Sequence, residues 1–149
     1  MSEHADRTRK QVKLLAYTGL TPFVGMAVLL WLVEPDLHPF LALAMAGYGA
    51  AIVSFLGGIH WGIGFKNVSR MHNAPLFNFG WGVVPSLMAW VAVTMPAYAG
   101  LPLLAVILGI CYAVDRKTYP EAGLQEWLPM RWHLTLVAAF SCLIGAAAT

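Results

Sequence analysis

His60 is the residue of this chain whose type and surroundings are best suited to chemistry. It lies in the segment Gly57-Gly58-Ile59-His60-Trp61-Gly62, where the glycines leave the imidazole ring and the adjoining backbone uncovered. An imidazole can hydrogen-bond a neighbouring helix, exchange a proton or contact a ligand, or bind a metal. We take structural hydrogen bonding as the leading interpretation and keep the other two roles as alternatives.

A carboxylate and a guanidinium are candidates to join this histidine. Asp115 comes at the predicted C-terminal end of one helix, where a negative charge opposes the helix dipole unless the helix continues or a base lies nearby. Arg131 enters the next helix from the same side. We therefore predict a functional cluster of His60, Trp61, Asp115 and Arg131, with separate hydrated charges at the membrane surface as the alternative.

A haem site would need a second imidazole at a similar depth on a facing helix. His133 is the best available partner for His60, and His72 in a loop is weaker. The pair has no metal-ligand spacing. No serine or cysteine has the context of an activated nucleophile, so we predict no catalytic residue and regard an enzyme as the less favoured class. We also predict no metal site and no cofactor.

The elements that must hold these residues are helices in a membrane. The chain has 149 residues, of which 59% are hydrophobic and 11% charged, too few to cover a soluble globule. A membrane-spanning helix needs about 20 apolar residues. The sequence predicts an all-α bundle of five transmembrane helices in one domain (14–149) after a cytoplasmic basic leader (1–13), with helices at about 14–33, 39–65, 75–95, 98–118 and 132–149.

The basic residues predict the orientation of the bundle. All nine Lys and Arg residues precede the first span or lie in the second and fourth gaps between spans. Basic segments stay on the cytoplasmic side, so the N-terminus is predicted inside and the C-terminus outside. A bacterial inner membrane is the simplest location. The net charge of +2 is too small to indicate nucleic acid, and the bilayer itself is the expected partner.

The second predicted helix carries a stripe of small residues. Ala50, Ser54, Gly58 and Gly62 recur every fourth residue, and Gly57 widens the stripe. Small residues at this spacing let two membrane helices approach closely. We predict that the stripe packs against another helix of the bundle, with a homodimer or another membrane protein as the alternative.

Two prolines lie in the middle of predicted spans. Pro22 in the first helix and Pro85 in the third each remove one backbone donor, so both helices are predicted to kink. Kinked helices beside a glycine-rich one can enclose a small cavity.

The stretch Tyr48–Gly62 resembles the signature of an uncharacterised multi-pass membrane family that includes transmembrane protein 69. Asp115 and the stretch Arg131–Thr135 support the resemblance, which extends over most of the chain from the first helix onward. The family is described in bacteria and in eukaryotic organelles. The resemblance implies a multi-pass membrane protein and implies no activity.

The leading functional prediction is a non-enzymatic packing, assembly or accessory subunit of the membrane. A bundle that carries or conducts a small neutral solute is the first alternative, with an opening near Pro22 and Pro85 and a gate at His60. Haem binding through His60 and His133 is the second. No charged residue lies deep inside any predicted span, which argues against ion-coupled transport.

Overall fold

The structure is a bundle of antiparallel helices. A computed structural model describes residues 3–69 and 74–149, so Arg70 and His72 lie outside the described residues. The helices are α1 (Glu3–Thr18), α2 (Thr21–Leu32), α3 (His38–Asn67), α4 (Ala74–Thr94), α5 (Ala97–Thr118) and α6 (Leu128–Ala147), and the described ranges contain no strand.

Five helical segments are long and apolar enough to cross a membrane. They are Glu3–Leu32, Pro35–Asn67, Leu76–Thr94, Ala97–Thr118 and Gln125–Ala147. The predicted all-α fold with five spans is confirmed. The orientation of the termini remains a prediction.

The first span is interrupted near its middle. Helix α1 already begins at Glu3, so the described part of the predicted leader is helical, and the chain turns at Gly19 and Leu20 before α2 starts. The Tyr48 hydroxyl donates a 2.7 Å hydrogen bond to the Gly19 carbonyl, which the break leaves without a helical partner. Pro22 therefore lies in the first turn of α2, where its missing N–H costs little. The predicted kink is a complete break that precedes the proline.

Helix α3 is the centre of the bundle and packs against α2, α4, α5 and α6. Its closest approach is to α4, where the backbones of Gly57 and Gly82 are in direct contact. Near the other end, a Cβ on Gly49 would lie 3.2 Å from the Leu104 side chain of α5. Glycine is required at Gly57 because a side chain there would meet backbone atoms, which cannot move aside.

The small-residue stripe of α3 does not pack as predicted. Gly58 and Gly62 are exposed, and a Cβ on either would meet no atom of the described residues within 4 Å. Ser54 is also exposed, and its hydroxyl bonds the Ala50 carbonyl of the preceding turn. Of the residues chosen for packing, Gly57 faces the bundle, Ala50 is half-buried and the other three are exposed on its outer surface.

The link between α5 and α6 sets where α6 begins. Gly123 has a φ of 74°, a left-handed conformation that glycine adopts without strain, and a 3₁₀ turn follows at Gln125–Trp127. Helix α6 then starts at Leu128, four residues before the predicted start at 132. Arg131 is consequently in the first turn of α6, beside the end of α5.

Pro85 lies inside α4 and is buried. The Ser86 hydroxyl donates to the Val83 carbonyl at 2.7 Å.

Candidate functional site

Asp115 is the centre of a buried polar network. Its Oδ2 accepts hydrogen bonds from Arg131 Nη2 at 2.7 Å and from Arg131 Nε at 3.0 Å. Its Oδ1 lies 3.0 Å from His60 Nε2. The three side chains come from α5, α6 and α3, so the network joins three helices at one end of the bundle.

The network is closed to solvent. His60 and Asp115 are each 1% exposed and Arg131 is 6% exposed. The second nitrogen of His60, Nδ1, lies 3.4 Å from Oδ1 of Asn78, which is itself buried on α4. The predicted cluster of His60, Asp115 and Arg131 therefore exists as a set of direct contacts, and Asn78 adds a fourth helix to it.

The arrangement is suited to holding helices together. One carboxylate and one guanidinium balance in charge, which limits the cost of burying the pair. Both His60 nitrogens face protein partners. Neither is left for haem iron, and the described residues contain no group of three or more His, Cys, Asp or Glu side chains placed to hold a metal.

Tyr119 closes one side of the network just beyond the end of α5. Its side chain is buried, and its ring centre lies 6.3 Å from that of His60. Burial raises the pKa of the Tyr119 hydroxyl to about 12, with the negative charge of Asp115 acting in the same direction and Arg131 opposing both. The hydroxyl is therefore neutral at physiological pH.

Two residues singled out in the sequence lie outside the network. Trp61 is 39% exposed, its indole donates a 3.0 Å hydrogen bond to the Phe79 carbonyl, and its ring packs edge-on against Phe65 and Phe79. Its role is thus in the contact between α3 and α4. His133 is exposed and its Nδ1 lies 3.0 Å from the Tyr17 hydroxyl. This contact ties α1 to α6.

An apolar cavity of about 450 Å³ borders the network. Arg131 and Tyr119 belong to its wall, as does Thr135 one helical turn after Arg131. Gly19, Leu20 and Phe23, on either side of the break in the first span, line it as well. The other lining side chains are largely hydrocarbon and include Val12, Leu15, Ile52, Leu56, Ile59, Leu108, Leu134 and Ala138, with Trp127 among them from the link before α6.

This cavity differs from the one predicted. Neither Pro22 nor Pro85 lines it, and His60 does not face it. The opening predicted between two proline kinks is instead formed at the break in the first span. His60 is therefore not placed to gate this cavity.

Sequence reasoning missed Asn78, Tyr119 and the cavity role of Thr135. Asn78 had a detectable signal, because it is an amide inside an uncharged apolar run and buried amides need hydrogen-bond partners. Attention to charged residues alone passed over it. Tyr119 had no comparable signal, since a tyrosine at a helix end is typical of a membrane surface.

Fold and site together define an integral multi-pass membrane protein whose spans are joined by a buried ion pair. The chain belongs to the family described as "Protein of unknown function (DUF3429)", whose model matches residues 8–147. His60, Asp115 and Arg131 all lie within the matched range.

Two curated relatives extend the comparison. The chain is 35% identical to Transmembrane protein 69 of Xenopus tropicalis over 138 residues, which cover 92% of this chain and 53% of that protein. It is 26% identical to Transmembrane protein 69 of Mus musculus over 136 residues, which cover 91% of this chain and 55% of that protein. The chain thus spans about half the length of the curated relatives it matches. No solved structure matches it.

Proposed function

We propose that this protein is a non-enzymatic membrane protein that binds a small apolar molecule of the bilayer. The observation that carries the proposal is the 450 Å³ cavity bounded by α1, α3, α5 and α6. Ligand pockets in proteins occupy about 300–1,000 Å³ and are mostly apolar. The sequence analysis placed second a bundle that carries or conducts a small neutral solute, and the present proposal differs from it in naming a lipid-soluble occupant that is bound.

The closed ionic network supports the non-enzymatic part of the proposal. A general acid or base must come within hydrogen-bonding reach of the group it serves. His60 and Asp115 are each 1% exposed, and their polar atoms face one another, Arg131 and Asn78. A substrate in the cavity would meet Arg131 and Tyr119 before it reached either residue.

Filling the cavity tests the proposal. The probe is a twelve-carbon alkyl diazirine with a terminal alkyne, photolysed in phospholipid nanodiscs that contain the full chain, with adducts located by mass spectrometry. We expect adducts to concentrate on cavity residues such as Leu134 and Ala138. Ile52→Trp places an indole in the cavity and should lower these adducts several-fold.

Leu87→Trp is the matched control, because Leu87 is 57% exposed on α4 and does not line the cavity. It should leave cavity labelling unchanged. Equal labelling of cavity residues and of exposed residues such as Leu87, unaltered by Ile52→Trp, would show that the cavity is no binding site.

A second candidate function, an accessory or assembly subunit, is favoured by the outward face of α3. No helix of the described chain packs against Gly58 or Gly62, and their small size would let a helix of another protein approach closely there. A benzophenone amino acid at Ser54 should then crosslink to another membrane protein in native membranes. The same amino acid at Leu87 is the control for random lipid-phase encounters. A crosslink only between two copies of this chain would indicate a homodimer.

We further propose that the host membrane is a bacterial inner membrane with the basic end of the bundle in the cytoplasm. The basic end is defined by Arg9, Lys66, Arg116, Lys117 and Arg131. Its charge is the feature that holds segments on the cytoplasmic side during insertion. The thiol-labelling experiment described in the Discussion tests the orientation.

A further inference from the structure

The Thr135 hydroxyl is the one fully enclosed side-chain oxygen or nitrogen in the described part of the bundle that has no hydrogen-bond partner. Thr135 is 4% exposed, it lines the apolar cavity, and its Oγ1 contacts no donor or acceptor among the described residues. A buried hydroxyl left unpaired destabilises the folded state, because it has lost its hydrogen bonds to water. A group that supplies the missing hydrogen bond would recover the lost stability.

Six other hydroxyls show what Thr135 lacks. Those of Thr8, Thr18, Ser54, Ser86, Thr94 and Thr118 each donate to a backbone carbonyl three or four residues earlier. Thr135 makes no such bond to its own helix. The Oγ1 atom is enclosed in the structure, so an occupant of the cavity would reach it only after rotation about χ1, for which a helical threonine has two accessible rotamers.

The polar part of the cavity wall carries little net charge. Two donors of Arg131, Nε and Nη2, are bonded to Asp115, whose carboxylate balances the guanidinium. The Tyr119 hydroxyl beside them is neutral. A carboxylate or phosphate would therefore find no uncompensated cation in this wall. Burial among the remaining lining side chains would remove its hydration with no compensating ionic interaction.

We propose that the cavity takes a hydrocarbon molecule with one neutral oxygen, a hydroxyl or a carbonyl, which hydrogen-bonds the Thr135 hydroxyl. This inference rests on the proposed binding function and specifies its ligand. The oxygen lies at the Arg131 end of the cavity, and the hydrocarbon extends along α6 past Leu134 and Ala138. The oxygen belongs either to the ester carbonyl of a phospholipid or to a free lipid-soluble alcohol or ketone.

Matched probes test the oxygen separately from the cavity. Two twelve-carbon alkyl diazirines are used, one with a terminal hydroxyl and one with a terminal methyl group, on the full chain in nanodiscs. Thr135→Val keeps the shape of the side chain and removes its hydroxyl. Labelling of cavity residues by the hydroxyl probe should fall about three- to tenfold, the loss of one neutral hydrogen bond, and labelling by the methyl probe should not fall.

Thr118→Val is the control, because the Thr118 hydroxyl already bonds the Val114 carbonyl and does not line this cavity. It should leave labelling by both probes unchanged. If Thr135→Val lowers neither probe while both still label the cavity, the oxygen assignment is overturned and a binding cavity remains. If neither probe labels the cavity in the wild type, the proposed function itself fails.

The lipid composition of the nanodisc distinguishes the two sources of the oxygen. If the oxygen is a phospholipid ester carbonyl, diester phospholipid competes with the hydroxyl probe for the site. Nanodiscs of diether phospholipid should then show higher labelling by the hydroxyl probe. Unchanged labelling in diether lipid assigns the site to a free alcohol or ketone. A rise in diether lipid should disappear in Thr135→Val, and a rise that persists in that variant counts against the proposal.

Discussion

Arg131 places two of its donors on a single oxygen of Asp115 and leaves the other oxygen to His60. Arg131 Nη2 and Nε lie 2.7 and 3.0 Å from Asp115 Oδ2, and His60 Nε2 lies 3.0 Å from Asp115 Oδ1. Asp115 thus uses both oxygens on side chains from two other helices. Removing Asp115 would leave both the Arg131 guanidinium and the His60 imidazole without their carboxylate partner.

Replacing Asp115 with alanine should destabilise the bundle strongly. Breaking a buried ion pair by removing one partner costs about 3–5 kcal/mol, because the remaining charge is left uncompensated. Asp115→Leu combined with Arg131→Met removes both charges and should recover most of the loss. Unfolding of the detergent-solubilised protein by heat or by increasing SDS measures the difference.

Arg116→Met is the control for a general effect of charge at this end of α5, since Arg116 is exposed. It should change the free energy of unfolding by less than about 1 kcal/mol. A single Asp115→Ala variant as stable as the control would mean that the network does not hold the helices together.

Tyr119 should ionise at a higher pH than the usual value for a tyrosine. Its pKa is raised from 10.0 to about 12 by burial and by the charge of Asp115. Because the pKa of Tyr119 is higher in the folded state than in the unfolded state, its contribution to the free energy of unfolding is fully present below pH 10. That contribution is lost as the pH rises from 10 toward 12. Tyr119→Phe should remove the late step from the ultraviolet tyrosinate titration and reduce the loss of stability in that interval.

Tyr98→Phe is the matched control, because Tyr98 is 66% exposed near the other end of α5. Its titration should keep the late step. A late step that survives in Tyr119→Phe would assign the high pKa to another tyrosine.

Charge and apolar run length were enough to predict the five spans, because a membrane forces each apolar run of about 20 residues into one helix. They did not place the break in the first span. The break precedes Pro22 at Gly19, whose free carbonyl is satisfied by Tyr48, 29 residues away in the sequence. A contact of that range leaves no local signal.

Part of the site could also be predicted from residue types and their positions along the helices. His60, Asp115 and Arg131 are ionisable groups near one end of their helices, and burial obliges such groups to pair. The direction of the α3 stripe was not predictable. Gly57 and Gly58 are adjacent and equally small, and about 100° of helix rotation separates the one that touches Gly82 from the one that is exposed on the outer surface.

These two glycines should respond in opposite ways to alanine. In Gly57→Ala the added methyl group meets the Gly82 carbonyl, and overpacking of this kind costs about 1–3 kcal/mol. In Gly58→Ala the methyl group meets no described atom, and the higher helix propensity of alanine should stabilise the helix by about 0.5–1 kcal/mol. Thermal unfolding of the two variants in one detergent makes the comparison. Equal effects would contradict the interhelical contact.

The orientation of the bundle can be read from single cysteines placed at its two ends. Lys66, Arg116 and Lys117 lie at the same end as Ser69, whereas Thr94 ends α4 on the opposite side, and both of these residues are exposed. The native thiols Cys111 and Cys142 are buried and are first replaced by alanine. In intact cells, a membrane-impermeant maleimide should label Thr94→Cys and not Ser69→Cys, because basic segments remain in the cytoplasm. Permeabilised cells should show labelling of both, which establishes that Ser69→Cys is reactive. Labelling of Ser69→Cys alone in intact cells would invert the orientation, and the cavity beside Arg131 would then open from the outer half of the bilayer.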